Sequence, residues 1–451
     1  MTIRELLAFF GIESDNDLII EAISDRSGTE KENWVYFNLS SPENAPKYVA
    51  EAQKNRAVLI LSRYDLPDAI FIPDLKRRIN SFLIEYFRFS PLFRLIGITG
   101  TNGKSTLSNF LKQSLKASGY RVKNVACVRE KDAYYSPLTT PDSFSLFRIF
   151  QKANNEKLDY LIMEVSSIGI AEGRVEGIAF DELFFTNLTS DHLDYHGTLA
   201  AYRKTKIDFF LRAKARKFAE ESLAYKTFVF PEKIVLVRPK IREEDGRLTL
   251  KIGKTRVDTN LHYRNNLINL AFCYCFLRAL RFKKSEVLKA IGQIKPFKGR
   301  MDVVSPSPLI VIDYAHTASS FEKILEESRS TFGKNLMVVF GAGGDRDTTK
   351  RKAYAEACNR YCAYAVITND NPRGEKPERI AEEICAHLSI PHETILSRKE
   401  AIRKAIRLLN EERMLLILGK GNEDYIQMDG YRIYHNDYDE VELCLKNPMW
   451  H

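Results

Sequence analysis

Short apolar runs that end in glycine or a small polar residue recur along this chain with helical segments between them. That alternation limits the possible folds more than any other feature. LIVIDYA, LMVVFGAG, YAVITND and MLLILGKG form one series, and VKNVACV, YLIMEV and ELFFTNL belong to an earlier one. Strands separated by helices are joined by crossovers rather than hairpins, so they run parallel. An α/β fold with doubly wound parallel sheets is therefore predicted, with Ser105–Ser118 and Leu267–Leu280 among its helices. Ligands of such sheets lie beyond the carboxyl ends of the strands, and here those ends carry Gly, Asp, Asn or Thr. At 451 residues the chain exceeds one ordinary core, which predicts about two to four domains.

Composition removes several classes of function. Apolar residues make up 44% and charged residues 28%, a globular balance. No apolar run approaches the ~18 residues of a membrane helix, and MTIRELLAFFGIE reads as an amphipathic helix rather than a signal peptide. A soluble, cytoplasmic protein without membrane insertion is expected. Seven cysteines are an odd number for a disulfide framework. Cys358 and Cys362 lie one helical turn apart, but no second pair has metal-site spacing, so buried thiols are the better reading. The formal net charge of +9 is scattered, with only modest clusters such as Lys214–Phe218, and no nucleic-acid module accompanies it. Phosphorylated small substrates and a solvated basic surface fit that charge equally well.

The strongest local signal is Leu95–Thr106, LIGITGTNGKST. An apolar strand runs into Gly100, Thr101, Asn102, Gly103, Lys104 and Ser105, and a helix follows. Glycines let the backbone wrap an anion, and the helix N-terminus supplies amides and positive potential. Lys104 would reach the outer phosphates of ATP and Ser105 would ligate Mg²⁺. The strict phosphate-loop pattern has glycine at the position of Ile98; here Gly97 is one residue further away. Downstream, Glu164 closes YLIMEV, a position that suits a metal-linked carboxylate or, equally, a capping or salt-bridged one. Asn187, Asp191, His192, Asp194 and His196 crowd the next strand end. Together with Glu164 and Ser105 they point to metal or phosphate handling, with exposed turn chemistry as the alternative.

These residues resemble the Mur ligase family, and among its members the enzymes that add the third amino acid to UDP-N-acetylmuramoyl-dipeptide. TGTNGKS, TTPD, MEVSS, TNLTSDHLDYHGT, NNLIN, GRMDVV, DYAHT, GAGGDRD, DNPR and GKGNEDY occur in family order across nearly the whole chain. The resemblance implies three domains: residues 1–88 for the UDP end of the substrate, 89–297 as a central phosphate-loop ATPase, and 298–451 as a Rossmann-like domain for the amino acid. It implies a monomer that uses ATP and Mg²⁺ and works through an acyl phosphate, without nucleic acid. It places Lys104, His192 and Lys206 in catalysis, and Ser105, Glu164, His192 and Lys206, the last as a carbamate, around Mg²⁺. Taken alone, Lys206 on its RKTKIDFF helix reads as a surface lysine. Asn266, Asn269, Arg300 and Asp313 would join Gly100–Ser105 at ATP, although the two asparagines also suit a helix start.

Thr139, Thr140, Ser166, Glu172 and Arg174 match the positions that grip the UDP-sugar. Two departures stand out: the family motif has His and then Gln where this chain has Ile168 and Glu172. The N-terminal Asp-Ser-Arg motif is reordered as Ser24-Asp25-Arg26-Ser27, so no uridine contact follows from it. Arg346, Asp370, Asn371, Pro372, Arg373, Gly419 and Glu423 match the amino-acid site. Within DNPR, Arg373 implies meso-diaminopimelate, whose far carboxylate an arginine can grip bidentately. DNPR is also a good turn sequence, but turn geometry does not call for arginine. The same ligase with lysine as substrate, a folylpolyglutamate-synthase-like ligase and a phosphate-loop nucleic-acid ATPase are the alternatives.

Overall fold

A computed structural model describes residues 1–29, 31–127, 132–189, 191–221, 223, 234–244, 247–259, 261, 263–345 and 347–446. The chain forms two compact units. The first holds residues 1–100, 120–185 and 192–217, and the second holds 101–119, 186–191 and 218–451.

The first unit opens with the amphipathic helix expected from the sequence, Ile3–Phe9, closed by a capping box between Thr2 and Glu5. Strands Ala22–Ser24, Trp34–Asn38, Leu59–Ser62 and Ile70–Phe71 then lie side by side and parallel. Helix Ala45–Lys54 starts with a proline in its first turn, where no backbone donor is missed. Helix Leu75–Tyr86 buries Ile79, Phe82 and Leu83 against Phe37, and Phe144 and Phe147 of helix Ser143–Asn155 join the same core. A second parallel sheet has Glu182–Phe185, Arg94–Thr99, Tyr160–Glu164, Val122–Ala126 and Ala133–Tyr135 in that order. Tyr160–Glu164 is buried throughout, which explains why it reads as continuous apolar sequence rather than alternation. Gly97 stands in mid-strand. A Cβ there would come within 2.6 Å of Leu183 and 2.7 Å of Phe180, so this glycine serves close strand packing and not the phosphate loop.

In the second unit, helices Lys104–Ala117, Arg264–Ala279 and Lys284–Gly292 pack together. The sequence pattern did not foretell the antiparallel strands Pro239–Glu244, Arg247–Ile252 and Thr255–Val257. Between the last two a tight turn replaces a crossover, and Gly253 supplies its positive φ. The larger sheet runs Asp302–Pro306, Leu309–Asp313, Arg413–Leu418, Asn335–Phe340, Cys362–Ile367, His392–Thr394. Its first pair is antiparallel and the rest are parallel. Both faces are covered. Leu309, Val311, Val338 and Phe340 pack beside Phe321 and Tyr354, while Ile310, Ile312, Met337 and Val339 pack beside Ile402 and Ala405. Cys358 and Cys362 sit in the first of these clusters as buried free thiols.

Candidate active site

The phosphate loop is held from below by its own chain. Thr101 N–H donates to the Asn187 carbonyl at 2.9 Å, and Asn102 N–H donates to Asn187 Oδ1 at 2.9 Å. Thr186 Oγ1 and Asn187 Nδ2 donate to the Asn102 carbonyl at 2.7 and 3.0 Å. The Thr101 and Asn102 amides therefore brace the loop, while Gly103, with φ +83°, caps helix Lys104–Ala117. Lys104 Nζ donates to the Thr101 carbonyl at 2.8 Å. Asn269 lies over the loop, within 3.5 Å of where a Gly103 Cβ would stand. Asn266 and Asn269 are both buried inside helix Arg264–Ala279, which starts at Tyr263 without a side-chain cap. That geometry removes the helix-start reading.

In the first unit, Lys206 is not the surface lysine that its helix segment taken alone suggests. It is 1% exposed, its Nζ donates to the Gly100 carbonyl, and it lies 4.8 Å from the centre of the Tyr202 ring. Helix Leu199–Arg212, capped by Thr198, turns Tyr202, Lys206 and Phe210 inward on one face. Glu164 is buried at its strand end, and its carbonyl accepts from Thr140 Oγ1 at 3.1 Å. His192, with φ +51°, starts the single turn Leu193–His196, and His196 stacks edge-on against Tyr202 at 5.4 Å. Asp191 immediately precedes that turn; the side chain of Asp194 lies outside the described residues.

A second set of groups forms beside the same strand. Thr140 Oγ1 is 3.0 Å from Ser166 Oγ, and Ser166 caps the short helix Ser167–Ala171. Cys127 Sγ approaches Thr139 Oγ1 at 3.9 Å. Arg174 donates through Nη1 to the Thr140 carbonyl at 2.9 Å, and through Nε and Nη2 to Glu172 Oε2 at 3.0 and 2.7 Å. The structure thus brings Thr140, Ser166, Glu172 and Arg174 together. Burial alone would raise the Glu172 carboxyl, but Arg174 and Lys76 together outweigh it and hold that group below its ordinary range.

The second unit gathers the C-terminal motifs at the carboxyl ends of its strands. Asp313 Oδ2 and Oδ1 accept from Met301 N and Ala315 N, both at 2.6 Å. Burial pushes this carboxyl up to about 6 against the pull of Arg300. Arg300 lies 4.6 Å from the centre of the Tyr314 ring, and Tyr314 donates to Glu423 Oε1 at 3.1 Å. Asn371 Nδ2 donates to Glu423 Oε2 at 3.0 Å. Gly419 has φ +107°, and a Cβ there would meet Asp370 Oδ2 at 2.6 Å. At Gly344 a Cβ would strike the Pro372 carbonyl at 1.9 Å, so the GAGGDRD and DNPR loops abut through bare backbone. Arg373 itself takes φ +54°, and its Nη1 donates to Gly344 O at 2.8 Å and Asn371 O at 3.2 Å. A cavity of about 380 Å³ opens here, lined among others by Asn371, Arg373, Glu423, Tyr425 and Arg432. Arg346 lies outside the described residues.

Three contributors to this cavity escaped the sequence reading. Lys420 is fully buried, and its Nζ reaches Asn371 Oδ1 at 3.1 Å, Glu423 Oε2 at 3.0 Å and Asp370 Oδ1 at 3.6 Å. Its place between two motif residues, Gly419 and Glu423, was the available signal. The hairpin Tyr425–Gln427 with Arg432–Tyr434 forms one wall, and nothing local in the sequence marks it. Arg398, paired with Asp437 at 2.7 Å and with both side chains fully buried, donates to the carbonyls of Asn369 and Leu418. Those carbonyls immediately precede Asp370 and Gly419, so one buried ion pair fixes both loops.

Comparison with known proteins adds a family. Residues 98–223 match the Mur ligase middle domain, and 299–421 match the Mur ligase glutamate ligase domain. The UDP-N-acetylmuramoyl-L-alanyl-D-glutamate–2,6-diaminopimelate ligase of Geobacillus thermodenitrificans is 34% identical over 415 residues, covering 84% of this chain and 85% of the relative. The Pseudomonas putida enzyme of the same name is 33% identical, covering 78% of each chain. Among solved structures, a ligase of that name superposes with a TM-score of 0.64 at 24% identity, covering 98% of both chains. MurF ligase from Thermotoga maritima, solved in complex with ADP, gives 0.58 at 16% identity, covering 88% of this chain and 93% of its own.

Proposed function

Because the chain belongs to the Mur ligase family, we propose that it joins meso-diaminopimelate to UDP-N-acetylmuramoyl-L-Ala-D-Glu at the expense of ATP, a step in making peptidoglycan precursors. The observation that carries the choice of amino acid is the cavity at Arg373. A guanidinium stands there beside Asn371 and Glu423. Among the described residues Arg373 makes hydrogen bonds only through its backbone and Nη1, which leaves Nε and Nη2 for a carboxylate fork. Lysine would bring an ammonium to that guanidinium instead. The relatives named above for 2,6-diaminopimelate support the same choice.

In this reading residues 1–88 hold the UDP end, 89–297 hold ATP, and 298–451 hold the amino acid. The substrate carboxylate takes the γ-phosphoryl group of ATP, giving an acyl phosphate and ADP. The free amine then attacks the acyl carbon, and phosphate leaves from the tetrahedral intermediate with its bonding electrons. A carboxylate is a poor acyl donor until its oxygen becomes such a leaving group, so the first step is what makes the second possible. Lys104 and the helix N-terminus after Gly103 neutralise the phosphates, with Asn266, Asn269, Arg300 and Asp313 around the nucleotide. Gly100, Thr101 and Asn102 shape the loop. Thr139, Thr140, Ser166 and Arg174 hold the UDP-sugar. Arg346, Asp370, Asn371, Arg373, Gly419 and Glu423 hold diaminopimelate, with Pro372 fixing the turn.

Mg²⁺, held through Ser105, Glu164, His192 and the Lys206 carbamate, would neutralise the phosphate oxygens. The donor set suits it: a buried carboxylate and a hydroxyl are oxygen ligands, and substrate phosphates complete such a site. Lys206 also suits carbamylation, since a carbamate keeps an N–H for the Gly100 carbonyl. We place the enzyme in the cytoplasm as a monomer. No described helix is long and apolar enough to cross a membrane, and light scattering tests the monomer.

The deciding experiment is phosphate release from ATP with the UDP-linked dipeptide and meso-diaminopimelate, L-lysine or no amino acid. Release that depends on diaminopimelate, with a tripeptide product by mass, is expected. Release with lysine alone would keep the ligase and remove the Arg373 argument. No release with either would turn the reading toward the folate-type ligases.

A further inference from the structure

Glu172 presents an electrostatic problem. Its carboxylate takes two hydrogen bonds from Arg174, and a one-to-one pair of that kind has no net charge to offer an anionic substrate. It also stands where the family motif carries a neutral glutamine. The structure supplies a second cation. Lys76 Nζ lies 3.4 Å from the same Glu172 Oε2, with side-chain exposures of 27% and 24%. Arg63 lies within electrostatic reach of Lys76.

The approach of Lys76 is built into the backbone. Gly173 has φ +72°, and a Cβ there would stand 3.2 Å from the Lys76 carbonyl. The loop therefore lies directly against the first turn of helix Leu75–Tyr86. One turn further along, the buried Asn80 donates through Nδ2 to the carbonyls of Gly173, Arg174 and Glu176 at 3.2, 3.0 and 3.0 Å. Helix and loop are thus latched residue by residue, and the three charged groups keep a fixed arrangement.

We propose that Lys76 is a positioning residue for the nucleotide-sugar end of the substrate: it neutralises Glu172, so that Arg174 keeps its positive charge for the substrate anion. The three groups together carry one net positive charge, and Glu172 acts as the bridge that orients both cations rather than as a substrate contact. This rests on the reading of Arg174 as a grip on the UDP-linked substrate.

The test compares wild type, Lys76→Met, Glu172→Gln and the double variant. KM is measured for UDP-N-acetylmuramoyl-L-Ala-D-Glu with ATP and amino acid saturating. Lys76→Met is expected to raise that KM by about tenfold, the size of one charge-assisted contact in a partly buried site, and to leave the KM for ATP unchanged. In the Glu172→Gln background the same change is expected to have little effect, because no carboxylate remains to be neutralised. Lys76→Arg should restore most of the loss, and thermal midpoints check that all variants fold. An equal effect of Lys76→Met in both backgrounds would overturn the proposal, as would no effect in the wild-type background. Absence of turnover by the wild type would instead remove the substrate reading, and the inference with it.

Discussion

The loop proposed for phosphate and the cavity proposed for the amino acid are built in opposite ways. The loop is a contiguous stretch, Gly100–Ser105, and works mainly with backbone. Its amides are braced by Asn187, its turn depends on Gly103, and a helix begins at once after it. The cavity draws on side chains far apart in sequence, among them Asp345, Asn371, Arg373, Glu423, Tyr425 and Arg432, and Lys420 beside it pairs with Asp370 and Glu423. A backbone cradle recognises phosphate in any nucleotide, whereas a side-chain cavity can distinguish one amino acid from another. Tolerance to change should differ accordingly.

The largest effect is expected from Lys104→Ala. It should lower kcat by about 10²–10³-fold, the usual cost of removing one preorganised group that faces developing charge, and by the same factor whichever amino acid is supplied. Amino-acid-dependent losses, seen in single-turnover phosphate release, would break the division of labour. Arg373→Ala should follow, raising KM for meso-diaminopimelate by about 10–100-fold through loss of a charged hydrogen-bond pair. Here the KM for ATP should stay near that of the wild type. A parallel rise for ATP would mean that the cavity and the loop are not separable.

Lys420→Met sharpens the comparison from the other side. The ammonium is fully buried, and its removal leaves Asp370 and Glu423 without their shared counter-charge. Breaking a buried pair at one partner costs about 3–5 kcal/mol, so both the thermal midpoint and the affinity for amino acid should fall. Isothermal titration with meso-diaminopimelate should show about a tenfold loss, milder than at Arg373 because Lys420 acts through its neighbours. Unchanged affinity would reduce Lys420 to a purely structural role.

The same contrast governs what could be read in advance. The loop was legible because glycine, lysine, serine and a helix start stand in one short string, and local chemistry is what sequence displays best. The parallel sheets were legible because strands buried on both faces make unbroken apolar runs. The antiparallel strands between 239 and 257 were not, since they mix charges such as Arg242 and Lys251 with few apolar residues. Lys206 taken without the family resemblance misleads for a related reason: its neighbours on RKTKIDFF are charged, and only the inward turn of Tyr202 and Phe210 reveals a buried face. Lys420 and Arg398 act through contacts across 49 and 39 residues, and no local pattern encodes such pairings.

The smallest effect is expected at the opposite ends of the strands. Glu182 starts its strand with a side chain that is 0% exposed, paired with Arg94 at 2.5 Å. Burial pushes its carboxyl up to about 7 despite Arg94. Its ordinary value is 4.5, so between that pH and about 7 the folded state keeps a proton that the unfolded chain has lost. Stability conferred by this group is therefore full at low pH and declines as pH rises through that window, by at most about 3 kcal/mol. Glu182→Gln removes the titration, and its side chain still accepts from Arg94, which is 41% exposed and loses little on becoming unpaired. Urea midpoints near pH 5 and near pH 8 should therefore differ less in the variant than in wild type, by about 1–3 kcal/mol when converted to free energy. KM for ATP and for amino acid should both stay unchanged, because this carboxylate lies at the amino end of its strand and the candidate sites gather at the carboxyl ends. A variant that kept the full pH dependence would place the titrating group elsewhere. One that lost turnover would show that the two ends of the sheet are coupled.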